Sequence, residues 1–334
     1  MVEEEQVRIT AARAGDEGAF AALVAPYRRE LRAYCYRMAG SLEDADDLLQ
    51  ESLVKAWRSL PTFEGRSSFR TWLYRVAWSA CIDGLQGKPM RKLSVDHGVP
   101  ASPADPFPAP EPPEVWIGPC PASLYEDAQP TPEARYSAKE SVALAFLAAL
   151  QLLPPRQRAT LLACDVLGWS AQECAELLGA SVGSVTSSLQ RARETIEARS
   201  ERWRPSLPEE SASRALLARY VQAWERADVP ALASLLHEDA TLSMPPVPLW
   251  LRGREAIRQS IGAMVLPPEA RGQFRFVLTE ANGVPALGAY RARGDAGFEP
   301  VGLHVLSIRE DRIVDLTAFL DPGLVAKFDL PPRL

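Results

Sequence analysis

Asp46, Asp47, Gln50 and Glu51 stand close together in this 334-residue chain, and Arg66, Ser67, Arg70, Tyr74, Arg75 and Trp78 follow soon after. The first group offers carboxylate and amide oxygens, which accept hydrogen bonds and attract a cationic protein surface. The second combines guanidinium groups that neutralise phosphates with flat rings that stack unpaired bases without reading them. A third group, Ser184, Ser187, Gln190, Arg191 and Arg193, carries the amide and guanidinium donors that pair with base edges in the major groove. All of this is binding chemistry. With three histidines and five cysteines, none in a C-x-x-C pair, there is no metal-ligand spacing. No catalytic residue, metal or cofactor is expected.

Helices must present these groups. On a 3.6-residue period Ala45, Leu48, Leu49, Ser52, Leu53 and Ala56 form an apolar stripe, with Glu43, Asp46, Asp47, Gln50 and Glu51 opposite. In a helix from Phe69 to Leu85 the expected core stripe is Phe69, Trp72, Leu73, Val76, Ala77 and Ala80, which turns Arg70, Tyr74, Arg75 and Trp78 outward. Taken singly, each helix also fits an ordinary amphipathic element with a solvated face.

The third group falls in a helix-turn-helix pattern. Ser141 to Leu153 reads as an apolar-rich helix stopped by Pro154-Pro155, and Arg156 to Leu167 as a second, ended by Gly168. Ser170 with Glu173 forms a capping-box pair, and Leu178-Gly179 is a glycine stop. The helix that follows buries Val182, Val185, Leu189, Ala192 and Ile196. Short helix, glycine turn and second helix is the geometry that lays the second helix in the major groove, although a plain three-helix bundle has the same pattern.

The chain is too long for one average domain, and its 47% hydrophobic content supplies two or three cores. A net charge of −6 argues against indiscriminate nucleic-acid binding, so the acidic protein grips DNA only when a partner supplies the rest. The acidic start Met1 to Glu5 lacks a signal core, and no apolar run reaches the roughly 18 residues that cross a bilayer. A cytoplasmic protein without membrane partners is expected, its cysteines free and buried. From Pro100 to Pro132 there are 11 prolines in 33 residues, which excludes regular structure. Trp116 lies inside this stretch, which is either a spacer or a docked segment.

The last third changes character. Ser211 to Leu236 reads as an amphipathic helix broken at Asp228-Val229-Pro230, and strands follow at Phe274 to Leu278, Leu287 to Arg293, Val301 to Ile308 and Ile313 to Phe319. That is an α+β fold.

Residues 16 to 86, with the runs Asp44 to Trp57 and Phe69 to Ala77 and with Asp83, resemble region 2 of the extracytoplasmic-function sigma factors. Leu153 to Arg158, Trp169 to Gly179 and Val182 to Arg193 resemble their region 4. The resemblance implies that Asp46, Asp47, Gln50 and Glu51 contact the clamp helices of the polymerase core enzyme. It also implies that Arg66, Ser67, Arg70, Tyr74, Arg75 and Trp78 open and hold the promoter −10 element, and that Ser184, Ser187, Gln190, Arg191 and Arg193 read the −35 element. Thr186 and Ser188 stand where the family carries Lys and Arg, so weaker or altered −35 binding is expected.

Tyr220 to Trp224, Leu235 to Leu242 and Leu251 to Ile257 resemble SnoaL-like domains, cones with a central pocket. Tyr220, Trp224, His237, Trp250 and His304 are the pocket candidates, with Asp239, Asp315 and Met244 beside them. Such a pocket fits a small ligand or an enzyme site, and a protein-docking role needs no pocket. Trp116 with Pro119 resembles the W-x-x-P linker motif of sigma factors that carry an extra C-terminal domain, and Asp321, Pro322, Leu324 and Phe328 form a candidate interdomain latch. The expected organisation is two all-α modules, residues 10–88 and 135–204, joined by a Pro-rich linker, 89–134, and followed by a cone-shaped α+β domain, 208–334, that tunes promoter-specific initiation in cis.

Overall fold

The computed structural model describes residues 2–96, 98–125, 139, 141–200, 210–294 and 297–334. The chain forms two compact units. One comprises Met1–Arg91, Ile117–Pro119 and Ser123–Arg202; the other comprises Lys92–Trp116, Cys120–Ala122 and Trp203–Leu334.

The first unit is helical: α1 Val2–Arg13, α2 Glu17–Val24, α3 Arg28–Ala39, α4 Leu42–Ser59 and α5 Phe69–Leu85, then α6 Leu144–Gln151, α7 Pro155–Leu161, α8 Ala171–Leu178 and α9 Val182–Ser200. Local chemistry sets the starts. The side chains of Asp16, Ser41 and Ser68 accept the N–H groups of Ala19, Asp44 and Thr71, filling donors that helix geometry leaves open. Gly40 ends α3 at φ 74°, a conformation other residues adopt at a cost. The expected helix over 141–153 is shorter, and the one over 156–167 leaves the α-helical path for a π-turn at Leu162–Val166, where the Leu167 N–H donates to the Leu162 carbonyl at 3.0 Å. Ser170 and Glu173 make the reciprocal capping box, and Gly179 caps α8 in the left-handed region. Val182, expected in the core, is 40% exposed.

Buried arginines tie α3 to the later helices. Arg37 donates to the Ser141 hydroxyl at 2.8 Å. Arg158 donates to the carbonyl of Met38, to Gln151 Oε1 at 2.7 Å and to the Leu153 carbonyl at 3.2 Å. Burial lowers the Arg158 pKa to about 10. A buried guanidinium is costly unless hydrogen-bonded, and here carbonyl oxygens satisfy both terminal nitrogens, while Nε has no partner among the described residues.

The second unit is α+β. Helices α10 Glu210–Glu225, α11 Val229–Ser234 and α12 Arg254–Met264 accompany strands β1 Leu236–Met244, β2 Val247–Arg252, β3 Phe274–Ala281, β4 Val284–Ala292, β5 Phe298–Arg309 and β6 Arg312–Phe319, and α13 Leu324–Lys327 follows. The six strands run in the order β2-β1-β6-β5-β4-β3. Among the described residues only β1 and β6 pair in parallel. Leu251, Leu242, Leu316 and Leu306 lie in one row across four strands and share a core with Leu217, Tyr220 and Trp224 of α10. Asn282-Gly283 joins β3 to β4 with both residues at positive φ, the two-residue turn whose twist suits a hairpin.

The Pro-rich stretch is extended but held. Within the second unit Lys92 N–H donates to the Val115 carbonyl at 2.8 Å, Ala101 N–H to Trp250 at 2.8 Å and Glu111 N–H to Pro246 at 2.8 Å. Trp116 is buried there at 4% exposure. In the first unit Gly118 donates to the Gly40 carbonyl at 2.9 Å and its own carbonyl accepts the Tyr36 hydroxyl at 2.8 Å. Pro119 is buried. Residues 126–134 of the linker and 135–138 of the expected second module lie outside the described residues. Among the described residues no helix is long and apolar enough to cross a membrane.

Candidate polymerase and nucleic-acid interfaces

On α4 the buried side is Ala45, Leu48, Leu49, Ser52, Leu53 and Ala56, as the period requires. Asp47, Gln50 and Glu51 are exposed on the far side. Asp46 differs from its neighbours: Arg32 grips both of its oxygens, at 2.5 and 2.8 Å, so its charge is already partnered. The sequence reading missed Val54, which is 46% exposed and follows Asp47 and Gln50 at helical spacing. An apolar spot beside carboxylates is what a protein-docking helix presents, and its signal was the one aliphatic residue out of step with the stripe.

The buried side of α5 is rotated from the expected one: it comprises Phe69, Leu73, Tyr74, Ala77, Ala80 and Cys81, while Trp72 and Val76, expected in the core, are only half-buried. Tyr74 is therefore corrected from an outward ring to a buried one, 2% exposed. Its hydroxyl donates to Glu30 Oε2 at 3.2 Å, and its ring meets Trp169 edge-on at 5.2 Å. Burial first, and the Glu30 charge second, push its phenol up. Arg70 reaches the same Glu30 oxygen at 3.3 Å and lies 5.2 Å from the Tyr74 ring centre and 5.9 Å from that of Trp169. Arg75 donates to the Glu176 carbonyl at 3.0 Å. Trp78 is half-buried, its indole nitrogen enclosed, so it too departs from the outward placement. Arg66 is 86% exposed and pairs with Glu64, and Ser67 is half-exposed. Trp169 and α8, which belong to the helix-turn-helix, thus touch Arg70, Tyr74 and Arg75: Tyr74 is buried, Arg70 is half-buried and Arg75 stays exposed while bonded to Glu176.

On α9, Ser184, Ser187, Gln190, Arg191 and Arg193 are all exposed. Gln190 donates to Glu194 at 3.1 Å. Arg193 is held in a two-pronged ion pair by Asp165 of the π-turn, at 3.0 and 2.6 Å, which raises its pKa. Such fork geometry fixes the guanidinium in one orientation.

In the second unit Tyr220, Trp224, Phe274, Phe276 and His304 form one aromatic cluster with ring centres 5.2 to 6.2 Å apart. Tyr220 Oη and His304 Nδ1 are 2.8 Å apart, and burial lowers the His304 pKa to about 4, so the ring is neutral. Two pocket candidates do not join them. His237 is exposed on β1, and Trp250 lies across from Ser243 on the opposite face of the sheet, its Nε1 donating to the Gly98 carbonyl at 3.2 Å. Asp315 also lies on that other face, where Thr241 and Thr317 donate to its carboxylate and burial raises its pKa. Asp239 is exposed. Among the described residues no group of His, Cys, Asp and Glu is arranged to hold a metal.

The latch candidates are also placed differently. Leu324 and Phe328 are buried in the second unit, whose short α13 packs on β5 of the same sheet. Asp321 and Pro322 are exposed, and Asp321 Oδ1 accepts the Gly323 N–H at 2.8 Å. Removing the chain beyond Asp321 would uncover this domain's own sheet, so that deletion cannot isolate a latch.

An acidic solvent-facing helix, an arginine and aromatic helix and a helix-turn-helix in one chain are the parts of a bipartite promoter-recognition protein of the sigma-70 class. Comparison agrees with this. Residues 23–88 match Sigma-70 region 2, residues 143–196 match Sigma-70 region 4, and residues 217–316 match the SnoaL-like domain. The ECF RNA polymerase sigma factor SigG of Mycobacterium tuberculosis is 43% identical over 321 residues, covering 95% of this chain and 85% of the relative. SigM of the same species is 30% identical over 180 residues, covering 54% of this chain and 76% of the relative. The crystal structure of the M. tuberculosis extracytoplasmic function sigma factor SigJ covers 91% of this chain and 97% of its own, with a TM-score of 0.56 and 21% identity, a likeness of fold. The chain belongs to the ECF RNA polymerase sigma factors and carries a SnoaL-like C-terminal domain. Its function is in transcription initiation, the work of sigma factors with RNA polymerase core enzyme and promoter DNA.

Proposed function

We propose that Asp47, Gln50, Glu51 and Val54 dock on the polymerase core, that Arg70 and Arg75 take the −10 strand, and that Ser184, Ser187, Gln190, Arg191 and Arg193 take the −35 element. Asp46 contributes by holding Arg32 and so shaping the docking helix. In the form described, the helix-turn-helix packs against α5 at Arg70, Tyr74 and Arg75. Elements about 25 base pairs apart are separated by roughly 85 Å at about 3.4 Å per step, whereas Arg75 bonds directly to Glu176 here. Both DNA elements cannot be held together in that state, so promoter binding requires the two helical modules to part. The contact of Arg70, Tyr74 and Arg75 with α8 and Trp169 is the observation that carries this reading. The C-terminal domain tunes that opening, with the anchored linker as its attachment.

Charge reversal tests the docking face. Asp47→Arg with Glu51→Lys should weaken association with purified core polymerase by about tenfold or more, since truncating or reversing interfacial charges costs roughly 2 kcal/mol. Unchanged association, with the helical fold intact, would remove the basis for the docking face.

A second reading concerns the aromatic cluster of the C-terminal domain. The Trp224 indole nitrogen is enclosed beside the Tyr220 hydroxyl without a well-formed hydrogen bond. A small, mostly apolar ligand with one acceptor oxygen would satisfy it, and native mass spectrometry of the freshly purified chain reads such an occupant directly.

A further inference from the structure

We propose that Cys164 and Cys174 form a reversible disulfide that fastens the turn carrying Trp169 in its covering position; this second part rests on the closed form described above. The two sulfurs, ten residues apart in sequence, lie 3.0 Å apart. A disulfide bond is about 2.0 Å long, so a shift of roughly 1 Å closes it. The π-turn carries Cys164 and α8 carries Cys174, and the segment between them includes Trp169, which lies against Tyr74 and Arg70.

Roles follow from exposure. Cys164 is partly exposed and Cys174 is buried. The hydrogen bond from Cys174 lowers the Cys164 pKa and raises that of its partner. The lower-pKa, accessible sulfur is the one an oxidant meets first. With a peroxide as the two-electron oxidant, the Cys164 thiolate attacks a peroxide oxygen, giving a sulfenic acid and one water. The Cys174 sulfur then displaces the sulfenic hydroxyl as a second water, so two thiols and one hydrogen peroxide become one disulfide and two waters. A dithiol reverses the step by exchange. Cys35 and Cys81 also approach, at 3.8 Å, but both are fully buried and lack the exposed member that the first step needs.

The test uses the full chain. After hydrogen peroxide treatment and thiol trapping under denaturing conditions, peptide mapping should show residues 164 and 174 linked, with the loss of two hydrogens. Dithiothreitol should reverse the link. Cys164→Ser and Cys174→Ala should each abolish it, and Cys35→Ser should leave it. If both thiols remain alkylatable, or Cys164 proceeds to sulfinic acid, the disulfide is ruled out. Oxidation should also weaken binding of a −10 non-template oligonucleotide by about thirtyfold, the lower end of what a short cross-link typically adds to an ordered segment. Equal affinity of oxidised and reduced protein would overturn the fastening while leaving the disulfide. Trp169→Ala, measured on reduced protein, reports separately on the closed form.

Discussion

Trp169→Ala should make the −10 face more available. The ring gives up one edge-on contact with Tyr74 at 5.2 Å and one cation–π contact with Arg70 at 5.9 Å. Such an aromatic pair is worth about 0.5–1.5 kcal/mol and an exposed cation–π contact about 0.5–1 kcal/mol. Their sum, about 1–2.5 kcal/mol, shifts the ratio of closed to open chains by about 5- to 70-fold. When the closed form dominates, apparent affinity rises in proportion to the competent fraction. Fluorescence anisotropy of a labelled −10 non-template oligonucleotide, titrated with the full chain at fixed salt, reads this gain. The hydrogen bond from Arg75 to Glu176 remains in the variant and keeps the expected gain below complete opening. Unchanged or weaker binding by a variant with the same helix content would refute the covering role of Trp169.

Two further outcomes concern the C-terminal domain. His304 has a folded pKa near 4 against an ordinary value of 6.5, so the unfolded chain binds the extra proton between these values; stability is present above about pH 6.5 and falls by about 3 kcal/mol as the pH drops towards 4. Thermal melts across this range should show the loss in the native chain and a flatter profile in His304→Phe, and parallel profiles would contradict it. Asn282→Gly keeps the hairpin turn but removes the acceptor of the buried Cys120 N–H, now bonded at 3.0 Å, and should cost about 1–3 kcal/mol in denaturant unfolding. A cost below about 0.5 kcal/mol would show that the Asn282 side chain does not hold the linker, leaving the backbone bond from residue 282 to the Cys120 carbonyl to do so.

Much of the helical unit was legible because its signals are local. The stripe on α4, the Ser170 and Glu173 box and the Gly179 stop each act within one or two turns. The outward placement of Tyr74 fails because the ring packs between Tyr34 of α3 and Trp169, each distant in sequence, which no helical period records. The cysteines illustrate the same limit: two of them look widely separated until the π-turn at Leu162–Val166 sets Cys164 against α8. Strands β1 and β2 went unread as strands because β1 begins with the exposed run His237 to Asp239 rather than an alternation, and a proline pair separates it from β2. Without β2 the face of Trp250 could not be assigned, and the ring was placed in the pocket rather than against the linker. Leu324 and Phe328 looked unclaimed beyond the last strand, but a sheet has two faces and theirs needed covering.

Glu30 carries a thermodynamic consequence. Its Oε2 already occupies the hydrogen-bonding reach of both Arg70 and Tyr74. An incoming phosphodiester therefore exchanges places with a resident anion instead of meeting a bare cation and its loosely held counterions. Binding at this position releases less salt into bulk than an unoccupied arginine would, and the logarithmic salt slope should be shallower by about 0.7 for a single strand. The protein in this way carries its own competitor, one whose local concentration dilution cannot change.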